Sequence, residues 1–145
     1  MTTSNLPIPP KWFWIFCSIC FVWNAMGIMA FIAQITMSPK ALAELPEAQR
    51  IAYETVPLWA ILAFAAAVFG GTLGCLALLL RKTIAFPLLA VSLVGIILQM
   101  YHAFFLANSL EVFGPGSAVM PTMIILLAIF LLWFTLFAKR KGWLM

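Results

Sequence analysis

The chain has 145 residues and a formal charge of +4, and 66% of its residues are hydrophobic against 8% charged. That composition, with a mean hydropathy of +1.13, excludes a soluble globular protein, in which the charged fraction is about three times higher. The basic excess does not point to nucleic acid either, because Lys11, Arg81, Lys82, Lys139, Arg140 and Lys141 flank apolar runs, where cations anchor and orient membrane spans.

Residues 1–10 form a polar lead in which Pro7, Pro9 and Pro10 hold off any helix. The apolar run that follows, 12–37, is longer than the hydrophobic region of a signal peptide and reads as an uncleaved first span. Within it Cys17, Cys20, Asn24, Gly27, Phe31 and Gln34 recur every three or four residues and so share one helical face, turned away from lipid. An amide at the depth of Asn24 is costly in hydrocarbon and requires a partner on a neighbouring helix or a ligand.

Ser38-Pro39 and Pro46-Glu47 are two helix-start signals in the link 38–56, which predicts two short helical pieces. Leu42, Leu45, Ile51 and Tyr53 can rest on the membrane surface while Lys40, Glu44, Glu47, Arg50 and Glu54 face water, the pattern of an interfacial segment. The second span, 57–80, opens on Pro57. Its stripe of Ala60, Ala63, Ala67, Gly70, Gly74 and Ala77 lets another backbone come close. The spacing does not say whether that backbone belongs to the same bundle or to a second copy.

Arg81-Lys82-Thr83 must lie in water or among headgroups, so spans two and three, 57–80 and 84–107, form a tight hairpin. Span three carries Ser92, Gly95, Gln99 and His102 on one face. His102 falls about 8 Å inside the boundary opposite the hairpin turn, at 1.5 Å per residue. The turn residues Gly114, Pro115 and Gly116 precede span four, 118–138, which ends in Lys139, Arg140 and Lys141.

The expectation is one all-α domain, 1–145, a polytopic bundle of four transmembrane helices with a short interfacial helical segment between the first two spans. All four carboxylates, Glu44, Glu47, Glu54 and Glu111, fall in the first and third links, and the purely basic clusters fall at the opposite ends of the spans. The positive-inside rule then predicts an inner membrane protein with both termini and Arg81 cytoplasmic. Trp12, Trp14, Trp133 and Trp143 would form an aromatic belt at that side and Trp59 one at the other, with Trp23 near mid-membrane.

Gln34, Gln99 and His102 reach similar depth, and with Asn24, Tyr53, Glu54 and Asn108 they make up a candidate outer polar pocket. Gly27, Gly70, Gly74 and Gly95 are the expected helix-packing positions. Catalysis is not expected, because the chain has no phosphate loop, G-x-S-x-G or H-E-x-x-H, and no span contains the carboxylate expected of many proton-coupled carriers. No metal or cofactor is expected from Cys17, Cys20 and Cys75, an odd set within spans, and a lone histidine supplies two haem ligands only in a dimer.

Residues 53–59 (Tyr-Glu-Thr-Val-Pro-Leu-Trp), 64–71, Leu78-Leu79-Leu80-Arg81-Lys82, Ala85-Phe86-Pro87-Leu88 and Ser92-Leu93 carry a resemblance. The central hairpin resembles an uncharacterised family of small bacterial four-span membrane proteins, some of which carry an automatic "sugar transporter" label. The resemblance implies a bacterial membrane and brings no site residues with it. Three functions stay open: binding or helping to transport a small solute, as a homo-oligomer or with a partner membrane protein; service as a structural or accessory subunit of a larger complex; and a redox role in which His102 meets haem or a quinone.

Overall fold

The computed structural model describes residues 6–145, so residues 1–5 of the polar lead lie outside the described residues. The four spans are helical. They comprise α1 (Lys11–Ile35), α4 (Leu58–Leu79), α5 (Ala85–Tyr101, prolonged by a π-helical turn, His102–Leu106) and α7 (Val119–Arg140). Between α1 and α4 lie α2 (Pro39–Ala43) and α3 (Glu47–Glu54), and between α5 and α7 lies α6 (Ser109–Phe113) with a 3₁₀ turn, Pro115–Ala118. Ser38 caps α2 by accepting the Ala41 N–H at 3.2 Å, with Pro39 in the first turn, where a missing N–H costs nothing.

All four long helices are long and apolar enough to cross a bilayer. The chain is therefore an integral membrane protein. Ile15, Ile19, Met29, Val94, Leu126 and Trp133, each more than half exposed, face where lipid would lie. The central element is α4, with 56% of its apolar window buried against 17% for α1 and for α7. It is flanked by α1 and α5, and α7 packs on α5. Aromatic rings bring α7 back to α1 and close the bundle: Phe16 lies 4.7 Å from Phe134 and 5.6 Å from Phe130, and Phe13 lies 5.8 Å from Phe134.

Backbone proximity dominates the α4–α5 contact. A Cβ placed on Gly95 would stand 2.6 Å from the Ala63 carbonyl oxygen and 2.8 Å from the Ala67 nitrogen, and one on Gly70 would stand 3.0 Å from the Leu88 carbonyl oxygen. Gly74 faces the Leu89 side chain of α5, and Gly27 brings α1 onto the Val68 side chain of α4. The small-residue stripe of the second span is thus occupied from within the chain, by the other arm of its own hairpin. Ser92 Oγ strengthens this seam by donating to the Ala67 carbonyl at 2.6 Å.

At the hairpin end the structure adds a feature the charge pattern concealed. Arg81 adopts φ 57°, in the left-handed region, and its Nε donates to the Trp143 carbonyl at 2.7 Å while Nη2 donates to the Pro7 carbonyl at 3.1 Å. The Met145 N–H donates to the Arg81 carbonyl, and the Thr83 N–H donates to the Met145 carbonyl at 2.8 Å. One arginine thereby ties the lead and the tail to the hairpin turn. Gly142, at φ 71°, bends the tail inward, so Trp143 is 9% exposed and packs against Trp12 and Phe13. Trp143 is therefore a core residue instead of a member of the aromatic belt.

Two outcomes follow. Gly95→Ala should cost about 1–3 kcal/mol, because two backbone atoms would have to move, whereas Gly27→Ala meets only a side chain and should cost less. Thermal unfolding of the two variants in the same detergent checks the order. Arg81→Ala should release residues 142–145, read as faster tryptic cleavage after Lys139, Arg140 or Lys141.

Candidate functional site

Polar side chains buried within the spans are mostly answered by nearby backbone. Thr72 and Thr135 Oγ1 each donate to the carbonyl four residues earlier, at 2.8 Å, and Ser92 is bonded across the seam. Asn24 Nδ2 donates to the Cys20 carbonyl at 2.8 Å and to Cys75 Sγ on α4 at 3.5 Å. Its Oδ1 lies over Gly71, where any Cβ would overlap it. Asn24 thus works as a packing amide between α1 and α4. A cavity of about 30 Å³ beside it, also lined by Trp23, Ser92 and Ile96, is sized for a single water.

A larger cavity, about 150 Å³, lies at the end of the bundle opposite the hairpin. Gln34 of α1, Ala52 and Tyr53 of α3, Gln99 of α5, His102 and Ala103 of the π-helical turn, and Ser109 and Phe113 of α6 line it. The local folding explains the convergence. Gln99 and His102 stand three residues apart, on one face of the end of α5. The turn from His102 closes with the Ala107 N–H donating to the His102 carbonyl at 2.8 Å, a five-residue span in place of the usual four. Such turns are rare and are frequent at functional sites.

Four of the seven expected pocket residues, Gln34, Tyr53, Gln99 and His102, meet at this cavity. Three do not. Asn24 stands about 15 Å below Gln34 along α1, since ten residues of helix separate them. Glu54 is exposed: it follows Tyr53 on α3, and consecutive helical residues point about 100° apart. Asn108 is exposed too, because it turns the chain into α6 with φ 46°, a left-handed conformation that asparagine tolerates.

The two amides are not satisfied by one another. Gln99 Oε1 is buried with no hydrogen-bond partner, and among the described residues Gln34, Tyr53, Gln99 and His102 form no side-chain hydrogen bond. The remaining contacts are aromatic: the His102 ring meets Trp59 edge to face at 5.6 Å, and Tyr53 meets Phe113 at 6.4 Å, joining α3 to α6. Sequence reasoning missed Ser109, Phe113 and the Trp59 contact. A signal for Trp59 existed, since Trp59 and His102 lie at similar distances from Arg81 on opposite arms of the hairpin. None marked Phe113, whose place depends on the backbone turn at Asn108.

Chemically, the cavity offers two carboxamides, an imidazole, a phenol and a hydroxyl, with no formal charge in its lining. Cys17, Cys20 and Cys75 are free and buried in the core at the other end, and no group of three or more metal-binding side chains occurs among the described residues. No protein-family model, curated protein or solved structure matches the chain.

If water reaches the cavity, cysteine at position 99 or 102, in a background with Cys17, Cys20 and Cys75 replaced, should react with a water-soluble maleimide. Cysteine at Leu98, on the lipid side of α5, should react at least tenfold more slowly. Equal, slow labelling at all three positions would show the cavity to be closed to water.

Proposed function

We propose that this is a non-enzymatic protein of a bacterial inner membrane that binds a small solute in the cavity lined by Gln34, Tyr53, Gln99 and His102. One observation carries the reading: polar side chains from separate elements converge on a space and leave one another unpaired, while the other polar groups buried in the spans are paired. Burying an unpartnered amide costs about 1–3 kcal/mol. A donor on a guest bound in the cavity would offset that cost for the Gln99 oxygen.

Passage across the membrane needs more than one copy or a partner membrane protein. The cavity near Asn24 admits about one water, and beyond it the bundle is filled by Cys17, Leu78, Leu131 and the rings of Phe13 and Phe134. Orientation follows the cations. The hairpin turn, lead and tail share one end through Arg81, and that basic end is the cytoplasmic one by the positive-inside rule. The resemblance of the hairpin to small bacterial four-span proteins supports the bacterial membrane.

Replacing Gln99 by leucine separates a binding residue from a packing residue by the sign of its effect. Gln99→Leu should raise the melting temperature in detergent, by an amount worth about 1 kcal/mol or more, because it removes an unsatisfied acceptor. A lowered melting temperature would mean that the amide is satisfied in the folded protein and would overturn the reading. Reporter fusions after Lys82 should read cytoplasmic and those after Glu47 external; the opposite pattern would reverse the orientation.

A further inference from the structure

We infer that the cavity selects small neutral molecules presenting a hydrogen-bond donor beside an acceptor, the class of short amides, ureas and polyols, over charged molecules of the same shape; this rests on reading the cavity as a solute site. Size is the first constraint. About 150 Å³ is the volume of an engineered protein cavity that takes benzene, so the part of a guest held inside has about six non-hydrogen atoms. A haem macrocycle is far larger than that space.

Charge is the second. Every charged side chain of the neighbouring short helices lies outside the lining: Glu47, Glu54 and Glu111 are exposed, and Arg50 does not reach the cavity. A charged guest would therefore give up part of its hydration without meeting a counter-ion, and the few neutral groups of this lining are too sparse to form a full shell around it. A neutral guest loses much less on entry.

Hydrogen-bond pattern is the third. Gln99 and Gln34 both line the cavity, and the Gln99 carboxamide oxygen, which no protein donor meets, calls for an N–H or O–H once the amide turns toward a guest. The carboxamide that carries this acceptor carries a donor on the same carbon, as does that of Gln34. The guest that satisfies a carboxamide side by side is another donor–acceptor pair at the same spacing, as in a primary amide, a urea or a vicinal diol. Val56, Ala103 and Phe113 of the lining add apolar surface for the carbon skeleton.

Two pairs of probes of matched shape test this: lactamide against lactate, and methylurea against methylguanidinium. Binding to the full chain in lipid nanodiscs is read by saturation-transfer difference NMR, with empty nanodiscs as the control. Affinity for so few atoms is expected to be weak, on the order of millimolar. Lactamide and methylurea should bind at least tenfold more tightly than their charged counterparts, and Gln99→Leu should weaken them at least tenfold. Gln99→Glu places a charge at the acceptor and should turn the preference toward methylguanidinium. If lactate or methylguanidinium binds the unaltered protein as well as its neutral partner, the selectivity is wrong while the solute site stands. If all four fail to bind, the solute site itself is overturned.

Discussion

The close approach of α4 and α5 is the constraint on which the other positions depend. In a bilayer, water does not drive helices together, and association rests on contact between backbones and on hydrogen bonds between helices. Gly95 against the Ala63 carbonyl, Gly70 against the Leu88 carbonyl and the Ser92–Ala67 hydrogen bond supply both. This seam aligns the two arms of the hairpin in depth, which sets Trp59 beside His102. The other two spans then fit around it, α1 on α4 through Gly27 and Asn24, and α7 on α5, with phenylalanines bridging the gap between α1 and α7.

The two ends of the bundle differ physically. At the hairpin end, Phe13, Phe134 and Trp143 pack ring against ring, worth about 0.5–1.5 kcal/mol for each aromatic pair beyond the area they bury. The Arg81 side chain and the Thr83 N–H donate to the Trp143 and Met145 carbonyls and close that end over the tail. At the opposite end the helices are short, the backbone takes a π-helical turn and a left-handed residue, and polar groups stand unpaired around a cavity. Regions with few buried contacts open at lower free energy than the core does. The cavity therefore lies at the end where opening costs least.

The four long helices and their shared faces were legible because apolar run length and a period of about 3.6 residues are local properties. The link helices were legible for the same reason, since Ser38-Pro39 and Pro46-Glu47 are local start signals. Four of the seven pocket residues followed from depth alone. What depth could not resolve was direction around the axis, and Glu54 and Asn108 reach the right level yet face water. Asn24 was assigned to the pocket by its shared face with Gln34, although depth separates them. Partner identity was equally out of reach for the glycine stripe, whose spacing is the same whether it meets its own hairpin or another copy. Arg81 and Trp143 looked like a topological charge and a belt residue because their roles arise from contacts across 62 residues of chain.

Arg81 also imposes an order of assembly. Its guanidinium and carbonyl are made when the hairpin leaves the ribosome, but the Trp143 carbonyl and Met145 amide that answer them are synthesised about sixty residues later. Of its partners only the Pro7 carbonyl precedes it in the chain, so until the tail is made water or headgroups must serve the rest of the guanidinium. The hairpin therefore enters the bilayer with its turn held at the headgroups. The same residue gains the Trp143 carbonyl and the Met145 amide as partners once the last span is in place, and the bundle closes over it.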